Sequence, residues 1–351
     1  MGICPLCRRD DTFPRNIELA EITCPNNDFS SIYTILQALD NLNNFKNVIF
    51  NNKKQSQIKI GKTLKKILSS NFNNNLNKYA KIIYYRIHKN NKKIVELHPG
   101  KILIKLLELL NNEQKSIIND KDQKEKKNMI NNFQALINSN SNNIEKSLFY
   151  NFLKNFANDN NYNKIGELFY IFFQKKFWCN NKIINISYEY NFVLELNVFD
   201  IFTKLDDQGR LHINQNHVPQ LNLKECILET LNQRLTNNYI ECKYIYSTSP
   251  YLIFILNRRK SEIIYYYGHF IYSDEIDLSS IIIGKNNSSW YVLSSIIKEK
   301  RDLDENNNFI YITINRDKSG QFYYYENNKK ILGKFENNGY FDHILIFKQK
   351  K

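Results

Sequence analysis

The cysteine side chains are the first candidates for chemistry in this sequence. Cys4 and Cys7 form a Cys-x-x-Cys pair, which is half of a common structural zinc site, and Cys24 is the only other cysteine near them. A structural zinc ion takes four ligands, whereas this segment offers three thiols. The ligand count favours free thiols in a short N-terminal arm. We therefore expect no cofactor and keep Cys4, Cys7 and Cys24 as weak candidates for a metal site.

The composition is that of a globular intracellular protein. A chain of 351 residues, 42% of them hydrophobic, can bury a large core in one large domain or in two ordinary ones. Six scattered cysteines are too few for a disulfide scaffold, so reduced thiols are expected. We find neither a signal peptide nor an apolar run of membrane-spanning length, and we expect no membrane partner.

The strong positive charge leaves the choice of partner open. A formal charge of +14 and a pI near 9.2 suit an acidic partner or a nucleic acid. The same values follow from a coding bias that enriches Lys and Asn throughout the chain. An arginine-rich tract, zinc-finger spacing and aromatic RNA-binding signatures are all missing from the sequence. Direct RNA contact therefore remains one of two interpretations.

The hydrophobic pattern predicts helices in the first 165 residues. A helix is expected from Asp28, which could cap it as Ser30 could, through Leu39, with Ile32 and Ile35 among the residues of its apolar stripe. Further helices are expected in residues 59–90 and in a buried segment at 101–111. Residues 111–145 are rich in Lys and Asn and are expected to be a solvated helix or a flexible connection.

After Ile165 the pattern changes to short aromatic and β-branched runs, which are typical of antiparallel strands. One helix is expected in this part, from Leu223 to Leu235. The change predicts an α+β fold. The predicted strands are Phe169–Phe173, Tyr190–Val198, Tyr251–Leu256, Ile263–Ile271, Trp290–Ile297, Phe309–Ile314, Phe322–Tyr325 and Ile344–Phe347.

Several segments resemble, in order, the ubiquitin-specific proteases, the USP class of deubiquitinases. Leu36-Gln-Ala-Leu39, preceded by short polar residues, resembles the end of the family's cysteine box, in which a Cys opens a helix. Ser249-Pro-Tyr-Leu-Ile-Phe-Ile-Leu-Asn-Arg258 resembles a strongly patterned strand segment of the family. The collinear order of the matches carries the comparison. The other matching segments are Tyr190–Val198, Leu223–Leu235, Ile276–Leu278, Tyr291–Leu293 and Asp342–Phe347.

The resemblance implies one USP-like domain with the papain-type cysteine protease fold. After a short arm at residues 1–26, the domain would cover residues 27–351. Its helical thumb would be residues 27–165, and its antiparallel palm and fingers would be residues 166–351. The fingers of many USPs hold zinc through two Cys-x-x-Cys pairs. Here Cys179 and Cys242 are each the only member left of such a pair, so the resemblance predicts no zinc there.

The residues at the matched active-site positions are wrong for the family's chemistry. A cysteine protease needs a thiolate, a histidine base, a residue that orients the histidine, and donors for the oxyanion. By the resemblance, these positions hold Ser30, Asn308, Asn327 and Pro25, respectively. A serine needs a base just as a cysteine does, and Asn308 offers no imidazole. We therefore expect a pseudo-protease with no catalytic residues at these positions.

The histidines elsewhere in the sequence do not replace the missing base. Gly268-His269-Phe270 imitates the family's Gly-His-Tyr box, but it precedes Ile276–Leu278 and Tyr291–Leu293, whereas the family's catalytic histidine follows both. We interpret His269 as a packed or solvated histidine of the sheet. The same interpretation applies to His88, His98, His212, His217 and His343.

The expected function is that of a catalytically inactive scaffold for protein–protein interactions. Asn27-Asp28-Phe29 and Pro250–Phe254 resemble the inactive USP-like splicing factor of the tri-snRNP, which implies spliceosomal snRNP protein partners and a nuclear location, with the cytoplasm as the alternative. Against this, the gap from Asn27-Asp28 to the Leu-Gln-Ala-Leu segment is two residues longer here than in that factor. The zinc-binding domain that usually precedes the USP-like part is also not found, unless Cys4, Cys7 and Cys24 are its remnant. A poly(A) deadenylase scaffold would need a repeat region and a nuclease domain, which these residues do not contain.

Two other functions stay open. One is a ubiquitin carboxyl-terminal hydrolase with a divergent active site, in which Ser30 or a displaced cysteine such as Cys24 is the nucleophile. The other is a basic RNA-binding protein that shares only its architecture with the USPs. Whether ubiquitin is bound cannot be inferred from the sequence, because an inactive protease can keep or lose its ubiquitin groove.

Overall fold

The computed structural model describes most of the chain from Ser30 onward. The apolar stripe predicted for the first helix is buried, and so are most apolar residues of the segment 101–111. The described residues are 30–51, 59–69, 76–88, 98–115, 127–128, 130–131, 143–159, 161, 163–213, 219–234, 239–259, 266–284, 289–301, 309–326, 329–333 and 340–350.

Helices occupy the first part of the described chain, and two more lie between strands. Most show apolar residues at three- and four-residue spacing, so that one face packs inward. None of the described helices combines the length and apolar character needed to cross a membrane. The helices are α1 (Ser30–Asp40), α2 (Asn43–Asn51), α3 (Lys59–Ser69), α4 (Leu76–His88), α5 (Pro99–Lys115), α6 (Asn143–Asn158), α7 (Lys164–Phe169), α8 (Val198–Asp207) and α9 (Leu223–Leu231).

The strands follow α7. They are β1 (Ile171–Cys179), β2 (Lys182–Asn191), β3 (Leu194–Asn197), β4 (His212–Ile213), β5 (Pro219–Asn222), β6 (Asn232–Arg234), β7 (Tyr239–Thr248), β8 (Tyr251–Asn257), β9 (His269–Ile271), β10 (Glu275–Asp277), β11 (Trp290–Arg301), β12 (Phe309–Arg316), β13 (Phe322–Glu326), β14 (Lys329–Leu332) and β15 (Phe341–Gln349).

The described strands form three sheets. The largest has the order β14-β13-β12-β11-β15-β8-β3, with β10 beside β11, and it is antiparallel except where β3 runs parallel to β8. A second antiparallel sheet has the order β2-β1-β7-β6. A small sheet has the order β4-β5-β9. The architecture is a mixed α+β fold with mainly antiparallel sheets, as the sequence predicts.

The largest sheet is buried on both faces. Side chains alternate between the faces of a strand, and in β8 Ile253 and Ile255 pack with helices α1–α7, while Leu252 and Phe254 pack with α8 and α9. The strand β15 divides its side chains in the same way. This two-sided burial explains why β8 and β15 are continuous apolar runs rather than alternating ones.

The first difference from the sequence prediction is at Phe169, which ends helix α7 instead of opening a strand. Asn163 caps that helix, because its Oδ1 accepts hydrogen bonds from the backbone N–H groups of Ile165 at 3.1 Å and Gly166 at 3.0 Å. The strand β1 begins two residues later and is longer than predicted. An aromatic run cannot by itself distinguish a short buried helix from a strand.

Two further differences lie at helix–strand boundaries. Tyr190–Val198 was predicted as one strand, but it contains the end of β2, then β3, and Val198 opens α8. The helix predicted at Leu223–Leu235 ends at Leu231, because Asn232–Arg234 pair with β7. The hairpin of β1 and β2 and the pairing of β1 with β7 create the second sheet, of which the sequence predicts only the start of β1 and the end of β2 as strands.

Candidate functional site

The helix α1 lies against strand β12 and runs in the same direction. Thr313 donates a hydrogen bond from Oγ1 to the carbonyl oxygen of Thr34 at 2.8 Å, and Asn315 Nδ2 donates to the carbonyl oxygen of Gln37 at 3.3 Å. A later helix residue therefore meets a later strand residue. The first residues of α1 and of β12 consequently lie at the same end of the sheet.

This end of the sheet is where the sequence places the candidate catalytic positions. Ser30 is the first residue of α1, and Asn308 immediately precedes β12 in the sequence. Asn308, Asn327 and Pro25 lie outside the described residues, so their mutual geometry stays a prediction. The candidate zinc ligands of the N-terminal arm also lie outside the described residues; they are Cys4, Cys7 and Cys24.

The other end of α1 is attached to the sheet by Asn41. Its Nδ2 donates hydrogen bonds to the carbonyl oxygens of Ser294 at 2.9 Å and Arg316 at 3.1 Å, and its Oδ1 accepts one from the Tyr323 hydroxyl at 3.3 Å. These contacts join α1 to β11, β12 and β13. The sequence contains no pattern that identifies Asn41 as such an anchor among so many other asparagines.

A groove of about 650 Å³ lies beside Asn41, at the end of α1 opposite Ser30. Its walls include Lys46, Arg316 and Lys318, together with the β11 and β15 residues Ser294 and Lys348. The lining also includes the carboxylates of Asp40 and Asp317, and Lys46 Nζ lies 3.3 Å from Asp40 Oδ1, so part of the positive charge is already paired. Because the groove lies at the opposite end of α1 from Ser30, it is distinct in position from the candidate catalytic end of the helix.

A cluster of buried ionisable side chains lies near the start of β12. Glu299 in β11 pairs with Tyr311, two residues into β12, and with Phe341 at the start of β15. Glu299 is 1% exposed and its Oε1 lies 3.6 Å from Nδ1 of the fully buried His343. Lys298 immediately precedes Glu299, and Asp342 immediately precedes His343. Lys298 Nζ lies 2.6 Å from Asp342 Oδ1.

His98 completes the cluster from the helical side. It immediately precedes α5, and its ring lies edge-on to that of His343, with the ring centroids 4.3 Å apart. The sequence interpretation of His98 and His343 as isolated histidines therefore misses their association. A signal was present in the charged pairs Lys298-Glu299 and Asp342-His343, which interrupt otherwise apolar strands.

Burial and neighbouring arginines keep His343 neutral. Desolvation of the ring, followed in importance by the positive charges of Arg258 and Arg259, lowers the pKa of His343 to about 3. Arg259 Nη2 lies 3.9 Å from Glu299 Oε2, the carboxylate oxygen that does not face His343. The His343 imidazole is thus neutral at neutral pH, and the Glu299 side chain lies between it and the Arg259 guanidinium.

The remaining residues considered in the sequence lie elsewhere. His269 is in β9 with an exposed side chain, stacked on Phe341 at a centroid distance of 5.8 Å. Cys179 pairs with Tyr239, and Cys242 pairs with Lys176 in the second sheet. The two cysteines are therefore three residue steps apart along neighbouring strands, which is roughly 10 Å.

Comparison with known proteins identifies the fold. No family model matches the sequence, and no curated protein matches it in sequence. Among solved structures, the yeast SAGA DUBm with a mutant Sgf73 matches with a TM-score of 0.59 at 12% identity, covering 92% of this chain and 66% of that chain. A SAGA Ubp8/Sgf11/Sus1/Sgf73 DUB module with a substituted Ubp8 matches with a TM-score of 0.58 at 12% identity, covering 100% of this chain and 71% of that chain.

These matches extend over nearly the whole of this chain but over only about two thirds of the matched chains. At 12% identity they establish the fold and not the activity. The fold that the sequence resemblance predicts is confirmed. This chain has the α+β fold of the USP-type deubiquitinases.

Proposed function

We propose that this protein is a non-catalytic protein-binding module built on the USP fold. The observation that carries the proposal is the pair of residues at the start of α1 and just before β12, which are Ser30 and Asn308. By the sequence resemblance, these are the positions of the family's nucleophile and its base. Without a thiol and an imidazole there, the family's reaction has neither an activated nucleophile nor a proton acceptor.

Losing the base is the more serious of the two changes. A serine hydroxyl is a weak nucleophile unless a neighbouring base takes its proton, and an asparagine side chain cannot do so at neutral pH. His343 is fully buried and held neutral beneath the sheet end, and His269 is on a different sheet. Binding to other proteins requires a folded surface, but it requires neither a nucleophile nor a base.

A ubiquitin derivative with an electrophilic C-terminus tests the absence of catalysis. We expect the wild-type protein to form no covalent adduct, as measured by gel shift and intact mass. The matched variant carries Ser30→Cys and Asn308→His together, which supplies a thiol and a base. An adduct on this variant shows that the probe reaches the position, so that its absence on the wild type reflects the missing chemistry.

An adduct on the wild-type protein would refute the proposal and support the alternative, a ubiquitin carboxyl-terminal hydrolase with a divergent active site. The specific reason to consider that alternative is the fold shared with SAGA deubiquitinase modules. Peptide mapping would then identify the nucleophile. Modification at Ser30 or Cys24 would distinguish the two candidates that the sequence offers.

We further propose that the partners are spliceosomal snRNP proteins and that the protein acts in the nucleus as a tri-snRNP-associated factor. The support is the sequence similarity of Asn27–Phe29 and Pro250–Phe254 to the inactive USP-like splicing factor; in the structure Tyr251–Phe254 belongs to the buried strand β8. The structural matches are themselves assemblies of a protease with protein partners, which suits a partner-binding role for this fold.

Affinity purification of the full chain tests the splicing proposal. Enrichment of tri-snRNP proteins that persists after nuclease treatment is the expected result, because protein contacts do not need intact RNA. Enrichment of unrelated complexes would overturn the splicing role and leave the non-catalytic role standing. Enrichment that disappears with nuclease and falls steeply with salt would instead indicate direct RNA contact.

A further inference from the structure

Three potential metal ligands from distant parts of the sequence meet at the end of the large sheet. One ligand atom from each of His98, Glu299 and His343 lies within 4.8 Å of the other two. His98 precedes α5, Glu299 is in β11 and His343 is in β15. Two imidazoles and a carboxylate are a ligand set that holds zinc in proteins, with a fourth position left for a small ligand.

The geometry of the cluster is close to that of a tetrahedral site. Two ligand atoms bound to one zinc ion lie roughly 3.4 Å apart, given bond lengths near 2.1 Å. The distance of 3.6 Å between His343 Nδ1 and Glu299 Oε1 is near this value. The widest separation among the three ligand atoms is at most 4.8 Å, so it has to shorten by about 1.4 Å at most to reach this value.

The burial of His343 is the second, independent observation. Its side chain is fully buried, and neither ring nitrogen has a hydrogen-bond partner among the described residues. Leaving a buried polar group without a hydrogen bond destabilises the fold, and a bound cation is one way to recover that cost.

We propose that His98, Glu299 and His343 form a zinc-binding site between the start of α5 and the largest sheet. The carboxylate divides its two oxygens, since Oε1 faces His343 and Oε2 faces Arg259. The nearby Arg258 and Arg259 disfavour additional positive charge. A small anion from solution is therefore the expected fourth ligand.

The site is separate from the cysteine zinc sites considered in the sequence. It uses no thiol, and it lies two residue steps from the start of β12 rather than in the second sheet, where Cys179 and Cys242 are found. Zinc here would connect the start of α5 to β11 and β15. It would hold the helical layer against the end of the sheet where α1 and β12 begin.

The test uses the full chain with Cys4, Cys7 and Cys24 replaced by Ser, so that the N-terminal thiols cannot bind the ion. After chelation, zinc is added back and measured by elemental analysis and by competition with a chromophoric chelator. We expect one zinc per chain. Cobalt(II) at the same site is expected to give visible absorption bands without the near-ultraviolet charge-transfer band of a thiolate ligand.

The variants Glu299→Gln and His98→Ala, each confirmed to fold by circular dichroism, are expected to weaken zinc binding by more than 100-fold, since loss of a mere outer-shell partner already costs about 10- to 100-fold. His269→Ala is the matched control and is expected to bind as the parent does. Zinc is also expected to raise the melting temperature of the parent but not of Glu299→Gln. Absence of zinc binding in the parent, or equal binding in all variants, would overturn the proposal.

Discussion

Replacing Arg258 by methionine is expected to lower the free energy of unfolding by about 3–5 kcal/mol, because three carbonyl oxygens lose their donor and each unsatisfied buried acceptor costs about 1–3 kcal/mol. Arg258 is 1% exposed. It donates hydrogen bonds from Nε to the carbonyl oxygen of Asp342 at 2.7 Å, and from Nη1 to those of Gly268 at 2.7 Å and Tyr266 at 3.2 Å. One side chain thus joins the end of β8, β15 and the segment before β9.

Aromatic rings surround the same guanidinium. Its central carbon lies 5.1 Å from the ring centroid of Phe270, 5.3 Å from that of Phe341 and 5.6 Å from that of Tyr266. Methionine retains much of the apolar contact with these rings. The loss expected for Arg258→Met therefore measures mainly the hydrogen bonds and the cation–π attraction, and each hydrogen bond from a charged donor contributes about 1.5–3 kcal/mol.

Urea unfolding followed by circular dichroism gives the measurement. Arg210→Met is the matched control, since Arg210 is 45% exposed although it forms ion pairs with Glu225 and Glu229. Exposed ion pairs contribute at most about 1 kcal/mol, so this variant should remain close to the wild type. If Arg258→Met were no less stable than Arg210→Met, the anchoring role of Arg258 would be wrong.

Replacing Phe169 by alanine is the second change with a large expected effect, a loss of about 3–5 kcal/mol in the free energy of unfolding. Phe169 is fully buried at the end of α7. Its ring centroid lies 5.9 Å from that of Phe45 in α2 and 5.7 Å from that of Tyr251 in β8. Removing the ring leaves a cavity where the helices α2 and α7 meet the largest sheet.

A graded series separates this cavity effect from a general sensitivity to mutation. Phe169→Leu keeps most of the volume and is expected to lose less than half as much stability as Phe169→Ala. Ile184→Ala is the control for deleting apolar atoms, because Ile184 is 58% exposed in β2 and should cost less than about 0.5 kcal/mol. Equal losses for Phe169→Leu and Phe169→Ala would contradict the packing explanation, and denaturant midpoints at constant slope provide the test.

The sequence by itself determined the class of fold and most of the elements that show a clear period. The helical stripe of Ile32, Ile35, Leu36 and Leu39 and the apolar run at 101–111 became buried helix faces. The apolar runs at 251–256 and 344–347 became the neighbouring buried strands β8 and β15. These predictions succeed because a face buried in the core imposes its period on neighbouring residues, which is a local signal.

The boundaries between elements depended on contacts that are not local. Phe169 ends a helix because Asn163 caps that helix and because Phe45 and Tyr251 surround the ring. Asn232 leaves the predicted helix because β7 offers a hydrogen-bonding partner. In each case the competing conformations have similar local propensity, and tertiary contacts decide between them.

The order of the strands was the decisive tertiary contribution to the candidate site. Ser30 could be placed at the start of a helix from its sequence, but only the packing of α1 along β12 brings that start to the same end of the sheet as Phe309. His98, Glu299 and His343 come from parts of the chain separated by dozens to hundreds of residues. The period of a strand sets which face a side chain occupies. The neighbours of Glu299 and His343 are set by the pairing of β11 with β15 and by the position of α5. No local sequence pattern contains these long-range contacts.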